Sequence, residues 1–445
     1  MLLVGLSLLW HGLSRKSWLL RPEALRLDPD NPEHLRGREE DVKRLFYAVS
    51  TLPLVFLEGE SGAGKSALIR AGLIAALNDA DPPSMLPVYV NTYTGDWESG
   101  IVEQLIFALW RELGEARCTR LGIATRDDLR RQLPLVGSSV PGVAGVERSE
   151  PPAFSRQLQP VKADGTLFRR IENELGLIPL LIFDQFDDYQ LAYSDRFSRQ
   201  GRWISAHELA AENSFWWAIR AELERHAIHC LFVTRRDMSG QLEAVRFAEP
   251  QVHFLDRIEP AYMGALLAGL VTPDTESSPV ISHPNAGWES LKDRLIRDLS
   301  AEGLILPIQA RVVFDGLAKL PYLNQKAYER EGGTEGLEAA YIESAVRFAA
   351  GAAGIAESRV LDTLLQLVDE TNPELPKSRT ATQGALLEAA RTDLETDLPR
   401  GERILDALVQ KGVIQSRLDE AAENTEPRWS LYHDYLARAV LFAHR

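Results

Sequence analysis

The chain has 445 residues, of which 45% are hydrophobic and 25% are charged, and this composition excludes disordered, collagenous and multi-spanning membrane proteins. Its 49 basic residues stand against 64 acidic ones, so the formal net charge is −15 and a phosphate backbone would be repelled except at a local basic patch. The length predicts two or three domains. Two cysteines without zinc spacing exclude a disulfide framework and indicate a reducing, cytoplasmic compartment.

The amino end of the chain is unusual for a soluble protein. Its first 14 residues carry no charge, and the basic residues Arg15, Lys16, Arg21 and Arg26 follow them. A secretory signal has its positive charges before the apolar stretch, so export is not indicated, and the stretch is too short to span a membrane. We expect either a helix packed on the body of the protein or membrane contact through residues 1–20, as an interfacial anchor or as the cytoplasmic end of a longer spanning helix.

The first third of the chain alternates strands and helices. After a linker rich in Pro and Asp, which ends near Leu35, an amphipathic helix is predicted over 38–50. A short apolar strand at 54–57, a glycine-rich loop and a helix to Leu77 follow it. A second strand at 86–90 and a helix at 99–113 continue the alternation. This order predicts a parallel sheet that is covered by helices.

The remaining pattern predicts an insertion, two more strands and a helical second part. Residues 130–164 lack any period and predict a surface insertion. Continuous apolar runs at 177–183 and 228–233 predict central strands that are buried on both faces. From residue 260 onward we expect helices alone until the last stretch, where the order helix, strand, turn, strand, helix is typical of a small winged-helix domain.

The loop between the first strand and its helix has the sequence GESGAGKS, a full match to G-x-x-x-x-G-K-[ST]. Glycines let the backbone close around phosphates, and N–H groups at the start of the helix bind the anion. Lys65 would neutralise the outer phosphates and Ser66 would ligate Mg²⁺. An ordinary glycine-rich turn is the alternative. We therefore predict a nucleotide-binding loop formed by Gly59, Glu60, Ser61, Gly62, Ala63, Gly64, Lys65, Ser66 and Ala67.

Acidic residues follow the strand at 177–183. Asp184 ends this strand, where a carboxylate can reach Mg²⁺ through water; the alternative is a cap on the loop after the strand. Gln185 occupies the next position, where many nucleotide hydrolases with this loop and an extra central strand carry the hydrolytic acid. Asp187 and Asp188 are the next carboxylates. We favour Asp187 as the residue that orients the attacking water, against the alternative that both acids simply cap the next helix.

Basic residues follow the strand at 228–233. Arg235 lies just past this strand and could sense or stabilise the γ-phosphate as a fixed cation. Its neighbour Arg236 competes for this role, and a salt bridge from Arg235 to Asp237 is the purely structural alternative.

Several short segments together resemble one family. GREE at 37–40 resembles a GRE-type motif, DQFDD at 184–188 is similar to D-Q-F-E-E, and LFVTRRDM at 231–238 resembles a strand that ends in R-x-D-F. YHD at 432–434 is similar to an H-D pair and to an M-H-D triplet, and Leu306-Pro307 resembles a lid motif that contains proline. On these motifs the chain resembles the STAND class of P-loop ATPases and, within it, the bacterial novel STAND group.

The resemblance implies roles for three further residues. Arg38 would lie near the nucleotide base, Pro307 would touch adenine, and His433 would contact the β-phosphate of ADP and hold a closed state; a core or capping histidine is the alternative for His433. The implied fold is an α/β P-loop NTPase of the ASCE/AAA-like type, followed by a helical lid and a winged helix. We divide the chain into an amino-terminal segment at 1–34, the NTPase domain at 35–260, the lid at 261–350 and a helical plus winged-helix domain at 351–445.

The implied function is an ATP/ADP switch with Mg²⁺ and slow ATP hydrolysis, which assembles on activation and acts in signalling or defence. Its partners would be the nucleotide, other copies of the chain and an unknown effector or sensor protein. One rival is a DNA-associated AAA-type loader; the acidic charge and the scattered basic residues of the winged-helix segment argue against nucleic acid. The other rival is a non-hydrolysing scaffold tethered to a membrane, which the apolar amino end and Gln185 favour.

Overall fold

A computed structural model gives the structure of the chain. It describes residues 17–25, 30–35, 37–91, 93, 97, 100–133, 166–199, 202–269, 280–282, 287–301, 303–370, 376–390, 398–417, 428–433 and 435–444. The apolar stretch at 1–14, most of the predicted insertion at 130–164, and Asp434 lie outside these residues. The chain divides into two compact units. We call Glu39–Glu60 with Lys65–Leu255 the sheet unit, and Met1–Arg38 with Ser61–Gly64 and Asp256–Arg445 the helical unit.

The sheet unit is built on a five-stranded sheet. Every pairing within it is parallel, which confirms the predicted α/β P-loop class. The strands of this unit are β1 Leu54–Gly59, β2 Met85–Val90, β3 Ile178–Phe183, β4 Ser198–Arg199, β5 Arg202–Trp203, β6 His229–Arg235 and β7 Gln251–Leu255. The five-stranded sheet has the order β2-β3-β6-β1-β7, and β4 and β5 form a separate two-stranded sheet.

Helices connect the strands of this sheet. Three acidic residues in the first turn of the helix Glu39–Thr51 suit the positive end of the helix dipole, and the helix that begins at Lys65 contains a π-helical stretch at Leu68–Ile74. Gly114 interrupts the helix Gly100–Arg120 with φ 64°, close to the predicted helix end at 113. The helices are α1 Glu39–Thr51, α2 from Lys65–Ala67 through Leu68–Ile74 to Ala75–Asn78, α3 Gly100–Arg120, α4 Arg126–Gln132, α5 Leu167–Arg170 with Ile171–Leu175, α6 Phe186–Ala192, α7 Ser194–Phe197, α8 Ala206–Glu212, α9 Ser214–Glu224 and the 3₁₀ helix Arg236–Val245.

The central strands are buried on both faces, as their continuous apolar sequences predict. Successive side chains of a strand point to opposite faces, and here they enter two different apolar clusters. One cluster contains Phe56, Phe183 and Phe232, and the other contains the neighbouring Leu57, Ile182 and Val233. Both faces of the sheet are therefore covered, and the polar residues Asp184 and Arg235 lie where β3 and β6 end.

The helical unit is not purely helical, so the prediction of helices alone was wrong in detail. Strands of two residues, such as Ser300–Ala301 and Leu304–Ile305, are too short to give an alternating sequence pattern. The elements are the 3₁₀ turns Pro22–Leu25 and Pro32–Leu35, α10 Pro260–Gly269, α11 Trp288–Leu299, β8 Ser300–Ala301, β9 Leu304–Ile305, α12 Pro307–Leu317, α13 Gln325–Arg330, α14 Gly333–Ala353, α15 Glu357–Leu365, β10 Val368–Asp369, β11 Lys377–Ser378, β12 Ala381–Thr382, α16 Gln383–Ala389, α17 Leu398–Gln410, β13 Ile414–Arg417, β14 Arg428–Leu431 and α18 Leu436–His444.

The carboxyl-terminal segment has the predicted order of elements. Helix α17 is followed by β13, β14 and α18, and β12 completes an antiparallel sheet in the order β12-β14-β13. Two apolar clusters lie in the helical unit, one around Trp288 and Phe314 and the other around Ile342 and Val440. Within the described part of the chain, no helix combines the length and the apolar character needed to cross a membrane.

Candidate functional site

The phosphate-binding loop begins and ends in the sheet unit. Gly59 is the last residue of β1, where a Cβ atom would lie 2.6 Å from the carbonyl oxygen of Leu255, so only glycine fits without a shift. Lys65 and Ser66 open α2. The ammonium group of Lys65 donates hydrogen bonds to the carbonyl oxygens of Gly59 at 2.9 Å and Glu60 at 3.0 Å. The cation therefore lies over the start of a loop that ends at a helix amino terminus, the arrangement that binds anions.

The tip of the loop, Ser61–Gly64, belongs to the helical unit. Gly62 and Gly64 have φ of +83° and +92°, a region that glycine adopts without strain. A Cβ atom on Gly62 would lie 2.3 Å from the Cγ2 atom of Ile308, and the N–H of Ile308 donates to the carbonyl oxygen of Gly62 at 3.3 Å. The ring of Pro307 approaches the Cβ position of Gly64 to 3.9 Å. The first turn of α12 therefore lies on the loop tip, and the structure brings Pro307 to it.

Arg38 also contacts the loop tip. Its Nη2 atom donates to the carbonyl oxygen of Ala63 at 3.2 Å and to that of Asp256 at 2.6 Å, and the residue is 8% exposed. Gly37 precedes it with φ +88°, and a Cβ atom there would lie 2.3 Å from the ring of Tyr262. The Arg38 guanidinium therefore connects the backbone of the loop at Ala63 to the backbone just after β7 at Asp256.

His433 reaches the loop tip from the end of β14. Its Nδ1 atom and the hydroxyl of Ser61 form a hydrogen bond of 2.9 Å across 372 positions of sequence. The Tyr432 ring lies perpendicular to the imidazole at 4.6 Å, and the Tyr435 ring is nearly parallel to it at 6.0 Å. These aromatic neighbours restrict the orientation of the imidazole, and the structure thus joins two residues predicted separately, Ser61 and His433.

Asp184 occupies the end of β3 in the sheet unit and is 1% exposed. Its Oδ2 atom accepts a hydrogen bond from the Tyr89 hydroxyl at 2.6 Å, and its Oδ1 atom accepts one from the N–H of Gln185 at 2.9 Å. The carbonyl oxygen of Asp184 accepts the Tyr93 hydroxyl at 2.8 Å. Gln185 has φ 54° and ψ 41°, a left-handed conformation that is uncommon for a residue with a side chain and is concentrated at functional sites.

Asp187 and Arg235 form an ion pair near this strand end. The Arg235 Nε atom lies 3.2 Å from Asp187 Oδ2, and only 6% of the Asp187 side chain is exposed. Arg236 lies elsewhere, with its guanidinium 5.4 Å from the centre of the Phe254 ring. The structure therefore brings Asp187 and Arg235 together. The guanidinium of Arg236 instead contacts the Phe254 ring. The side chain of Asp237, the alternative partner of Arg235, lies outside the described residues.

Aromatic packing fixes the segment that carries these acids. Phe186 is fully buried, with the Phe232 ring 4.8 Å and the Trp216 ring 5.7 Å from its own.

Burial raises the pKa of Tyr93 well above its ordinary value, and the negative charges of Asp184, Asp188 and Asp187 raise it further. The Tyr93 hydroxyl consequently keeps its proton and remains a hydrogen-bond donor at neutral pH.

The residues present suit a magnesium ion that arrives with a nucleotide. Mg²⁺ prefers oxygen ligands and is usually held by one or two carboxylates or hydroxyls together with substrate phosphates. The Ser66 hydroxyl and the Asp184 carboxylate are such donors. No group of three His, Cys, Asp or Glu side chains in the described ranges forms a metal cluster.

Comparison with known proteins identifies the family. The model of the family Novel STAND NTPase 1 matches residues 26–439. The chain belongs to this family. It is therefore a P-loop NTPase, and the resemblance drawn from its motifs is confirmed. A search of curated proteins finds no match.

Solved structures show weaker likeness. The Walker-type ATPase PABY2304 of Pyrococcus abyssi is 14% identical, with 94% of this chain and 99% of that chain covered and a TM-score of 0.38. The ORC1 protein of Aeropyrum pernix, in complex with DNA, is 17% identical, with 95% and 96% covered and a TM-score of 0.38. The ORC2 protein of the same organism, in its ADP form, is 14% identical, with 92% and 94% covered and a TM-score of 0.36.

Two residues in contact with Asp184 escaped the sequence analysis. Tyr89 and Tyr93 lie in and just after β2, a strand far from Asp184 in sequence. A phenol at the end of an otherwise apolar strand is a weak signal. It becomes informative only once β2 is known to lie beside β3, and the order of strands in the sheet is not readable from the sequence.

Proposed function

We propose that this chain is an ATP/ADP switch whose closed form is held by ADP through His433. The observation that carries the proposal is the hydrogen bond between Ser61 of the phosphate-binding loop and His433. A histidine bonded to this loop makes contacts that differ between a bound diphosphate and a bound triphosphate. Because a ligand shifts a conformational equilibrium only by its unequal affinity for the two conformations, this contact can couple nucleotide exchange to conformation.

The residues of the sheet unit bind the phosphates and support hydrolysis. Lys65 neutralises the outer phosphates, and Ser66 and Asp184 would hold Mg²⁺, which supplies positive charge to the phosphate oxygens when bound. Asp187 orients the attacking water, and Arg235 stabilises negative charge on the γ-phosphate. Hydrolysis is slow and resets the switch.

The residues of the helical unit contact the nucleotide and its loop and respond to the exchange of ADP for ATP. Pro307 lies on the adenine side, and Arg38 holds the carbonyl group of Ala63 and so shapes the loop. The segment from α17 to α18 acts as a winged helix that presents His433. Release of His433 on exchange of ADP for ATP permits self-assembly and contact with an effector or sensor protein, in signalling or defence.

The nucleotide content of the purified chain tests this proposal. The chain is purified without added nucleotide and denatured, and the released compound is identified by chromatography. We expect ADP near one molecule per chain, and a lower content in His433→Ala but not in the control His444→Ala, whose site is exposed. An empty site with fast ATP turnover would contradict a closed switch and favour a motor or DNA-associated loader.

A further inference from the structure

The Asp184 carboxylate accepts hydrogen bonds from the Tyr89 hydroxyl and from the N–H of Gln185. The Tyr89 hydroxyl donates to the Oδ2 atom of its carboxylate over 2.6 Å. This distance is typical of an O–H donor on an ionised carboxylate, a charge-assisted bond that is stronger than a neutral one. A carboxylate only accepts hydrogen bonds, so the phenol is the donor in this pair.

The register of the sheet explains why Tyr89 reaches Asp184. In the parallel pairing of β2 with β3, Tyr89 is aligned with Ile182 and Val90 with Phe183. The N–H of Asp184 then donates to the carbonyl oxygen of Val90 at 2.8 Å, which continues the ladder by one residue. This last hydrogen bond between the two strands thus fixes the backbone of Asp184 beside the strand that carries Tyr89.

Among the described residues, each oxygen of the Asp184 carboxylate has one donor. The Tyr89 hydroxyl donates to Oδ2, and the N–H of Gln185 donates to Oδ1. A carboxylate offers about four lone-pair positions, so each oxygen keeps capacity for a metal-bound water while its direction is fixed. Without the phenol, the carboxylate could rotate about its bond to Cβ, because the Gln185 N–H is the only other donor to it in the described part of the chain.

We propose that Tyr89 is a positioning residue that aims the Asp184 carboxylate at nucleotide-bound Mg²⁺ and so sets how strongly nucleotide affinity depends on magnesium. The inference rests on the proposed function, in which Asp184 is the magnesium carboxylate. Hydrogen bonds that orient a metal-binding residue typically contribute about 10- to 100-fold to metal affinity or activity. Because Asp184 acts through water, we expect the lower end of this range.

Tyr93 provides a matched control on the same segment. Its hydroxyl donates to the main-chain oxygen of Asp184. Tyr93→Phe therefore removes a different hydroxyl that contacts Asp184 and leaves the hydrogen bond from Tyr89 to the carboxylate intact. Tyr89→Phe keeps the ring and its packing and removes only the donor. Tyr89→Met is a second variant that lacks the donor, in case the first fails to fold.

The test measures the affinity of the full chain for a fluorescent ADP analogue as Mg²⁺ is varied, with EDTA as the reference without metal. Tyr89→Phe should raise the half-maximal Mg²⁺ concentration about tenfold and leave the affinity in EDTA unchanged. Tyr93→Phe should leave both unchanged, whereas Asp184→Asn should lose the dependence on Mg²⁺.

The outcomes separate the two levels of the argument. If Asp184→Asn loses the Mg²⁺ dependence and the Tyr89 variants match the unchanged chain, the role of Tyr89 is wrong and the role of Asp184 stands. If Asp184→Asn keeps the dependence, the assignment of Asp184 to magnesium fails, and the role of Tyr89 fails with it. An equal loss in Tyr89→Phe and Tyr93→Phe would show general loosening of the strand end and would also overturn the proposal.

Discussion

The two groups of candidate residues are held in different ways. In the sheet unit, Asp184 and Asp187 are buried, and their side chains contact Tyr89 of β2, Arg235 of β6 and the N–H of Gln185. In the helical unit, Ser61 meets His433, which lies 372 positions away in sequence, on a half-buried surface. Strand register therefore fixes the acidic residues of the sheet unit, whereas the Ser61–His433 contact depends on a segment that is distant in sequence.

This difference predicts two classes of variant. Changes in the sheet unit should abolish binding or hydrolysis without altering the equilibrium between conformations. Changes at the Ser61–His433 contact should leave the chemistry intact and alter how long ADP is retained. The predictions that follow test this division, from the largest expected effect to the smallest.

Removal of the loop cation should have the largest effect. Lys65→Ala should weaken ATP and ADP binding by about 100-fold, because hydrogen bonds to charged groups contribute about 1.5 to 3 kcal/mol each and every 1.4 kcal/mol is about tenfold in affinity. Isothermal titration would measure the loss. Lys43→Ala, on the exposed side of α1, is the control. Stoichiometric nucleotide retained by Lys65→Ala would refute the binding assignment.

Loss of the water-orienting acid should stop hydrolysis but not binding. Asp187→Asn should lower the rate of phosphate release by about 100-fold, the lower limit for loss of a general base, and keep ADP affinity. The neighbouring Asp188→Asn is the matched variant and should retain the rate. If Asp188→Asn loses activity and Asp187→Asn does not, the two roles are reversed.

Loss of the guanidinium that holds the loop should lower stability. Arg38→Met leaves the carbonyl groups of Ala63 and Asp256 without this donor, and an unsatisfied buried polar group costs about 1 to 3 kcal/mol. We expect a thermal midpoint lowered by several degrees in the absence of nucleotide. Arg44→Met, at an exposed position of α1, should leave it unchanged. An unaltered midpoint in Arg38→Met would show that Arg38 does not brace the loop.

The smallest effect concerns pH. Burial lowers the pKa of His229, and the nearby His226 lowers it further, while the hydrogen bond to the Val49 carbonyl opposes them. Above the unfolded pKa of about 6.5 the imidazole is neutral in both states. Below it the unfolded chain binds a proton that the folded chain resists, so the free energy of unfolding decreases as the pH is lowered.

Thermal melting at pH 7.5 and pH 5.5 would test this sign. Between these pH values, His229→Gln should lose less stability than the unchanged chain. The difference in thermal midpoint should be smaller than the drop expected for Arg38→Met. His444→Gln, at an exposed position, should behave as the unchanged chain does. A larger loss in His229→Gln would contradict the direction of the shift.

Local sequence patterns were sufficient for four of the five strands of the sheet and for the loop motif, whereas β7 was not predicted, because most of its residues are exposed and form no continuous apolar run. The apolar strands, the motif at 59–66 and the strand-ending Asp184 follow from contiguous residues, which carry the information themselves. Tyr89 was missed because its contact with Asp184 requires the neighbouring placement of β2 and β3, a tertiary property. Similarly, family resemblance indicated His433, but no local pattern could name Ser61 as its partner.

The most direct test of the central claim is a double-mutant cycle on the rate of ADP release. The dissociation of a fluorescent ADP analogue is measured for the unchanged chain, Ser61→Ala, His433→Ala and the double variant. If the Ser61–His433 bond holds the closed form, each single variant should release ADP about tenfold faster, and the double variant should release it no faster than either, because contacting residues are not additive. Multiplied effects in the double variant, or unchanged release in His433→Ala, would contradict the account.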